Sequence, residues 1–229
     1  MIIELIDLIP LALLGGLLGL DVVSFPQAMI SRPLVAATLG GALIGQSPSG
    51  LLVGAALELI ALETLPFGAS RYPEWGSASV VGGAIFATYP EHPAGAMPLA
   101  VLAALATTWI GGWTMVKHRQ FNALWASRKR PALEAGSRSA VIGLQLTGMT
   151  ADFARGALLT AVAYSALAPL AAMCIEIWST DGRVSRALVV GLAASVAGGA
   201  AWKIFHSVSG ARWFFIGGLG LGLFLLFIR

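Results

Sequence analysis

Charge is scarce in this chain, and so are the residues that build most catalytic and metal centres. Asp, Glu, Lys and Arg make up only 11% of the 229 residues, and 57% are hydrophobic. Soluble domains carry about 25% charged and 45–50% apolar residues. The deficit excludes a cytosolic metalloenzyme and a disordered regulator, and it places the chain in a bilayer. A single cysteine, Cys174, excludes an internal disulfide framework and a cysteine-based metal cage. Set in an apolar run, it reads as a packing residue. The three histidines, His92, His118 and His206, stand far apart with no zinc-protease spacing. No catalytic residue, metal or cofactor is therefore expected.

Basic residues are nearly missing from the first half. Residues 1–116 hold Arg32 and Arg71 against seven acids, a net charge of −5; residues 117–229 hold twelve basic residues against four acids, net +8. The resulting basic pI is no sign of nucleic-acid binding, because one basic loop in a membrane protein produces it. The opening MIIELIDLIP carries acids where a signal peptide has a basic region, so no cleavable signal is expected.

The apolar stretches are plentiful and uneven. A hydrocarbon core about 30 Å thick needs about 20 helical residues. Spans are predicted at 95–116, 153–178, 186–205 and 213–228, with a marginal one at 8–23. Between Leu34 and Leu62 lie two pieces of about a dozen residues each, interrupted by Gln46-Ser47-Pro48-Ser49-Gly50. They form one broken passage or a hairpin that enters and leaves by the same face. Residues 77–89 form another short piece, rich in Gly and Ala. Short helices at membrane depth survive only where protein buries them or where they line a polar cavity, and in transporters they point to the substrate site. Rows of small residues such as Gly40-Gly41 and Gly82-Gly83 favour close helix contact, and Gly217–Gly222 lacks the context of a nucleotide fingerprint.

The longest polar stretch, residues 117–138, carries Lys117, Arg119, Arg128, Lys129, Arg130 and Arg138 against Glu134 alone. The positive-inside rule makes it a cytoplasmic loop. The same charge would suit docking of a soluble partner or of anionic lipid heads. Three regions follow: an acidic half, 1–116, with broken helices; the basic loop, 117–138; and C-terminal membrane helices, 139–229.

Polar chemistry concentrates in the first region. Asp21 closes the first apolar run, and Gln27, Ser31 and Arg32 follow between Pro26 and Pro33. Glu58 lies between Leu57 and Leu59; a carboxylate at the centre of a lipid-facing helix costs roughly 2.5–3.5 kcal/mol on insertion scales. It must face a cavity, sit protonated, or pair with Arg32 or Arg71. Glu63, five residues on, would face away by roughly 140° on a continuous helix, so the two are no acid–base dyad. Residues 66–77 then combine two prolines, Arg71, Tyr72, Glu74 and Trp75 in an ordered loop. Acids, amides and ring faces of this kind suit a polyol, and an ion pathway would use the same acids.

The stretch Arg32-Pro33-Leu34-Val35, its small-residue run to Gly40-Gly41, and Gly54-Ala55-Ala56-Leu57-Glu58 resemble the membrane IIC subunit of the mannose/fructose/sorbose-type sugar phosphotransferase system (PTS). Gly68-Ala69 and Pro73-Glu74 are similar to the family's small-residue loop, with Glu in place of Asp, and the resemblance covers about residues 19–80. It implies an all-α polytopic membrane protein, an elevator-type permease subunit with short re-entrant hairpins. Such a subunit works with a IID membrane subunit in an oligomeric complex of the bacterial inner membrane. Soluble IIA and IIB phosphocarriers phosphorylate the arriving hexose. Asp21, Gln27, Glu58 and Glu74 are then the expected sugar contacts, with Ser31, Arg32 and Arg71 as secondary candidates. Two other readings are a non-transporting structural or regulatory membrane subunit and an ion-coupled small-molecule carrier. No intramembrane Ser-His or His-Asp arrangement supports an enzyme.

Overall fold

A computed structural model describes residues 5–62, 73–91, 93–177, 182–205 and 208–227. Among the described residues every regular element is helical: α1 (Leu5–Val23), α2 (Pro33–Leu43), α3 (Ser47–Ala61), α4 (Trp75–Thr88), α5 (Pro93–Arg128), α6 (Arg130–Glu134), α7 (Arg138–Ile177), α8 (Gly182–Phe205) and α9 (Ala211–Phe227).

The interrupted stretch is a hairpin. Pro33 opens α2, where a missing N–H costs nothing and the proline φ already suits a helix. The helix stops because Gly45 adopts a left-handed φ of 84°, and the N–H groups of Gly45 and Gln46 close onto the carbonyls of Ala42 and Gly41. Ser47-Pro48 then starts α3. At 1.5 Å per residue the two helices are only about 16 and 22 Å long, short of a full passage. They lie antiparallel at close range: a Cβ on Gly54 would stand 2.9 Å from the carbonyl oxygen of Pro33.

α4 is the centre of the molecule. Every residue from Trp75 to Ala87 is buried, as expected of a helix that is apolar all round and shows no polar face. Its Gly, Ala and Ser residues let three neighbours approach its backbone. Gly76 meets the Leu18 carbonyl of α1, Gly82 meets Ala100 and Ala104 of α5, and Gly83 meets Ala37 of α2. Gly15, Gly16 and Gly19 of α1 likewise press on Phe153, Gly156 and Thr160 of α7, a small-residue contact of the kind that holds membrane helices together.

Among the described residues two helices, α5 over residues 95–128 and α7, are long and apolar enough to cross a membrane. They run past it as well. Thirty-six and forty residues span about 54 and 60 Å, some 20 Å or more beyond a hydrocarbon core of about 30 Å. The basic stretch 117–138 is accordingly built mostly as helix, the end of α5 followed by α6. Lys, Arg, Gln, Ala and Leu are good helix formers, and the polar continuation of a membrane helix has no reason to unwind. Cys174, expected to be a packing residue, is instead exposed on α7, in an apolar groove with Leu102, Leu170 and Ala171.

Candidate functional site

Carboxylates from three helices act on the connection that leads from α1 into α2. Asp21, near the end of α1, is 2% exposed. Its Oδ1 accepts the N–H of Ala28 at 2.6 Å and its Oδ2 accepts the N–H of Ser31 at 2.8 Å. A buried carboxylate with both oxygens engaged by backbone donors fixes a turn firmly. Gln27 donates from Nε2 to the Val23 carbonyl at 2.7 Å while the residue stays exposed. Gln27 and Met29 both adopt left-handed backbone, with φ of 58° and 62°, which costs a non-glycine residue about 1–2 kcal/mol. The connection is thus held in a conformation its sequence does not prefer.

At its far end Glu58 is paired with Arg32, one of the alternatives that hydropathy left open. Arg32 donates from Nε to Oε1 of Glu58 at 2.7 Å, and its Nη2 contacts the same oxygen. The Leu34 N–H reaches Glu58 Oε2 at 3.2 Å. That N–H is one of the unpaired donors at the start of α2, so Glu58 also completes a helix terminus from across the hairpin. The side chains remain 28% and 21% exposed. The pair is half-buried and open on one side.

Glu74 lies in a different setting. It is 0% exposed and serves as the N-cap of α4, accepting from the Ser77 N–H at 3.2 Å and the Ser77 hydroxyl at 3.3 Å through Oε1. Its Oε2 has no partner among the described residues. Arg71 lies outside the described residues, as do Glu63 and Tyr72. The structure therefore gathers Asp21, Gln27, Ser31, Arg32 and Glu58 around one connection and leaves Glu74 in the core.

Sequence reasoning missed a second charged pair. Arg155 donates from Nε to Asp152 Oδ1 at 2.9 Å along α7, and Nη1 reaches Thr114 Oγ1 of α5 at 3.4 Å. Asp152 is fully buried. Its other oxygen accepts the hydroxyl of Ser24 at 2.5 Å, joining α7 to the first residue of the connection. A signal for the pair exists in the sequence. Asp152-Phe153-Ala154-Arg155 places opposite charges three residues apart at the edge of a predicted span, where they share one helix face. A span that starts at Phe153 leaves the acid outside it. Among the described residues no group of three His, Cys, Asp or Glu side chains is placed to hold a metal ion.

Comparison with solved structures gives two similar chains. One is a cryo-EM structure of the mannose transporter ManYZ with microcin E492 (MceA), with a TM-score of 0.63 and 19% identity, covering 97% of this chain and 88% of that one. The other, described as a membrane protein, has a TM-score of 0.65 and 17% identity, covering 99% and 96%. At such identity the likeness is one of fold. No curated protein matches the chain significantly. The model of the sorbose-specific IIC component of the PTS matches residues 5–209. With that match over most of its length, on an all-helical membrane fold similar to that of the mannose transporter, the chain belongs to the sorbose-type IIC family and is a sugar-permease component of the mannose-type phosphotransferase system.

Proposed function

We propose that the connection between α1 and α2, together with Glu58, is the sugar-binding element of this permease. The observation that carries this reading is the half-open Arg32–Glu58 pair at the head of a hairpin too short to cross the bilayer. The exposed part of the pair leaves charged groups within reach of a ligand, and sugar hydroxyls need charged and amide groups to bond. Glu58, Arg32, Gln27 and Ser31 would contact the sugar, while Asp21 shapes the turn that carries them. Glu74 contributes indirectly, by fixing the start of α4.

In this reading the cargo is a hexose. The subunit works with a IID subunit in an oligomeric complex of the bacterial inner membrane, by an elevator-like movement of one group of helices against another. Soluble IIA and IIB proteins phosphorylate the arriving sugar. The helical extension at 117–138 lies on the cytoplasmic side, supported by its basic residues.

The test is uptake of labelled mannose and sorbose by cells that produce the chain with its IID, IIA and IIB partners. Glu58→Gln should lower the rate roughly 10- to 100-fold, the weight of lost hydrogen bonds to a charged group, at unchanged abundance in the membrane. Wild-type uptake by this variant would overturn the site. Uptake that needs no phosphocarriers and collapses with an ion gradient would overturn the mode of transport.

A further inference from the structure

The connection 24–32 is tethered at both ends by charged groups that the proposed sugar contacts leave unexplained. Downstream, Arg32 is held by Glu58 of α3. Midway, Ala28 and Ser31 are held by Asp21 of α1. Upstream, Ser24 is held by Asp152 of α7. Asp152 differs from Glu58 in being fully buried, and from Asp21 in reaching the connection from a distant helix through a side-chain hydroxyl rather than through backbone N–H groups. Arg155 sets the orientation of its carboxylate and binds Thr114 in turn, so the anchor reaches into α5. Between the first and last tethers stand Gln27 and Met29, the two left-handed residues. Without an anchor on each side, such backbone relaxes to the ordinary right-handed or extended regions.

We propose that Asp152 and Ser24 are positioning residues: the Ser24–Asp152 hydrogen bond holds the connection in the strained form that presents Gln27 and Arg32 to the sugar. Arg155 orients the Asp152 carboxylate for this task. The inference rests on the sugar site assigned above and names its support on the two longest helices. It also explains why a charged pair is retained inside an apolar helix, where two apolar side chains would pack at lower cost.

Ser24 is exposed, so Ser24→Ala opens no cavity in the core and removes only the donor to Asp152 Oδ2. In the uptake assay with the complete partner set, Ser24→Ala should raise the KM for mannose or sorbose about tenfold, the scale of one hydrogen bond to a carboxylate. The maximal rate should stay within about twofold of wild type. Ser24→Thr, which keeps the hydroxyl, should restore the KM. Hydrogen exchange of the peptide covering residues 24–32 supplies a readout independent of sugar. The amides of Ala28 and Ser31 should exchange faster in Ser24→Ala and at the wild-type rate in Ser24→Thr. An unchanged KM in Ser24→Ala, or equal impairment of the Ala and Thr variants, overturns the proposal. Faster exchange with unchanged KM also overturns it, since the tether would then be structural only. Failure of the sugar site itself shows separately, as normal uptake by Glu58→Gln.

Discussion

Among the described residues, three ion pairs lie at three depths. Arg130–Glu134, on the polar extension, is largely exposed. Arg32–Glu58 is half-buried, and Asp152–Arg155 is almost fully buried. The exposed pair spans one helical turn in water. The half-buried pair joins the start of α2 to α3 and keeps one face open. The sealed pair lies along α7 and serves a serine on another segment. In these three pairs charge is kept where water reaches it, where a polar ligand would reach it, or where another polar group requires it. On the proposed reading, burial separates the pair that would meet a substrate from the pair that would shape the segment beside it.

The sharpest way to test this ranking is to break the sealed pair. Asp152→Asn leaves a buried guanidinium uncompensated and should destabilise the protein by about 3–5 kcal/mol. Asp152→Leu combined with Arg155→Met removes both charges and should restore most of that loss in a thermal-shift measurement. A double variant as unstable as the single one would mean that the helix contacts, rather than the charges, set the cost. A smaller effect is expected from Gly111→Ala. Its added Cβ would stand 2.7 Å from the Cβ of Glu74 and 2.9 Å from Leu159, and overpacking of this kind costs about 1–3 kcal/mol. The loss should appear in melting temperature, and no loss would show that α4 can shift its start freely. The smallest effect belongs to Arg130→Ala. Both partners are mostly exposed, so the change in stability should stay below about 0.5 kcal/mol and vanish at high salt.

Much of the architecture is legible in the residues. Pro33, Gly45 and Pro48 mark where the helices of the hairpin begin and end, because each fixes or frees a backbone angle locally. The apolar stretches form helices, with α4 starting at Trp75, two residues before the predicted piece. Glu58 needs a partner on hydropathy grounds alone, and Arg32 is one of two basic residues available in its half of the chain. Other features depend on distant contacts. Asp21 has the chemistry of a sugar contact, yet both of its oxygens hold the turn that follows it. Nothing local distinguishes those two uses. Glu74 stands in a polar loop of the sequence, while its burial arises from the packing of α1 and α5 around α4. Asp152 escapes a local reading because its meaning depends on Ser24, 128 residues away.

The sequence by itself determined that this protein is a helical membrane protein whose acidic half holds two short apolar pieces broken at residues 46–50. Hydropathy, proline and glycine act on their immediate neighbours, and a carboxylate among leucines demands compensation wherever it sits. Only the tertiary structure decided which groups supply that compensation. It set Glu58 half-open against Arg32, turned Asp21 inward onto backbone donors, and enclosed Glu74 and Asp152. The physical reason is that exposure and hydrogen-bond partnership are properties of packed helices, fixed when segments far apart in the chain come together.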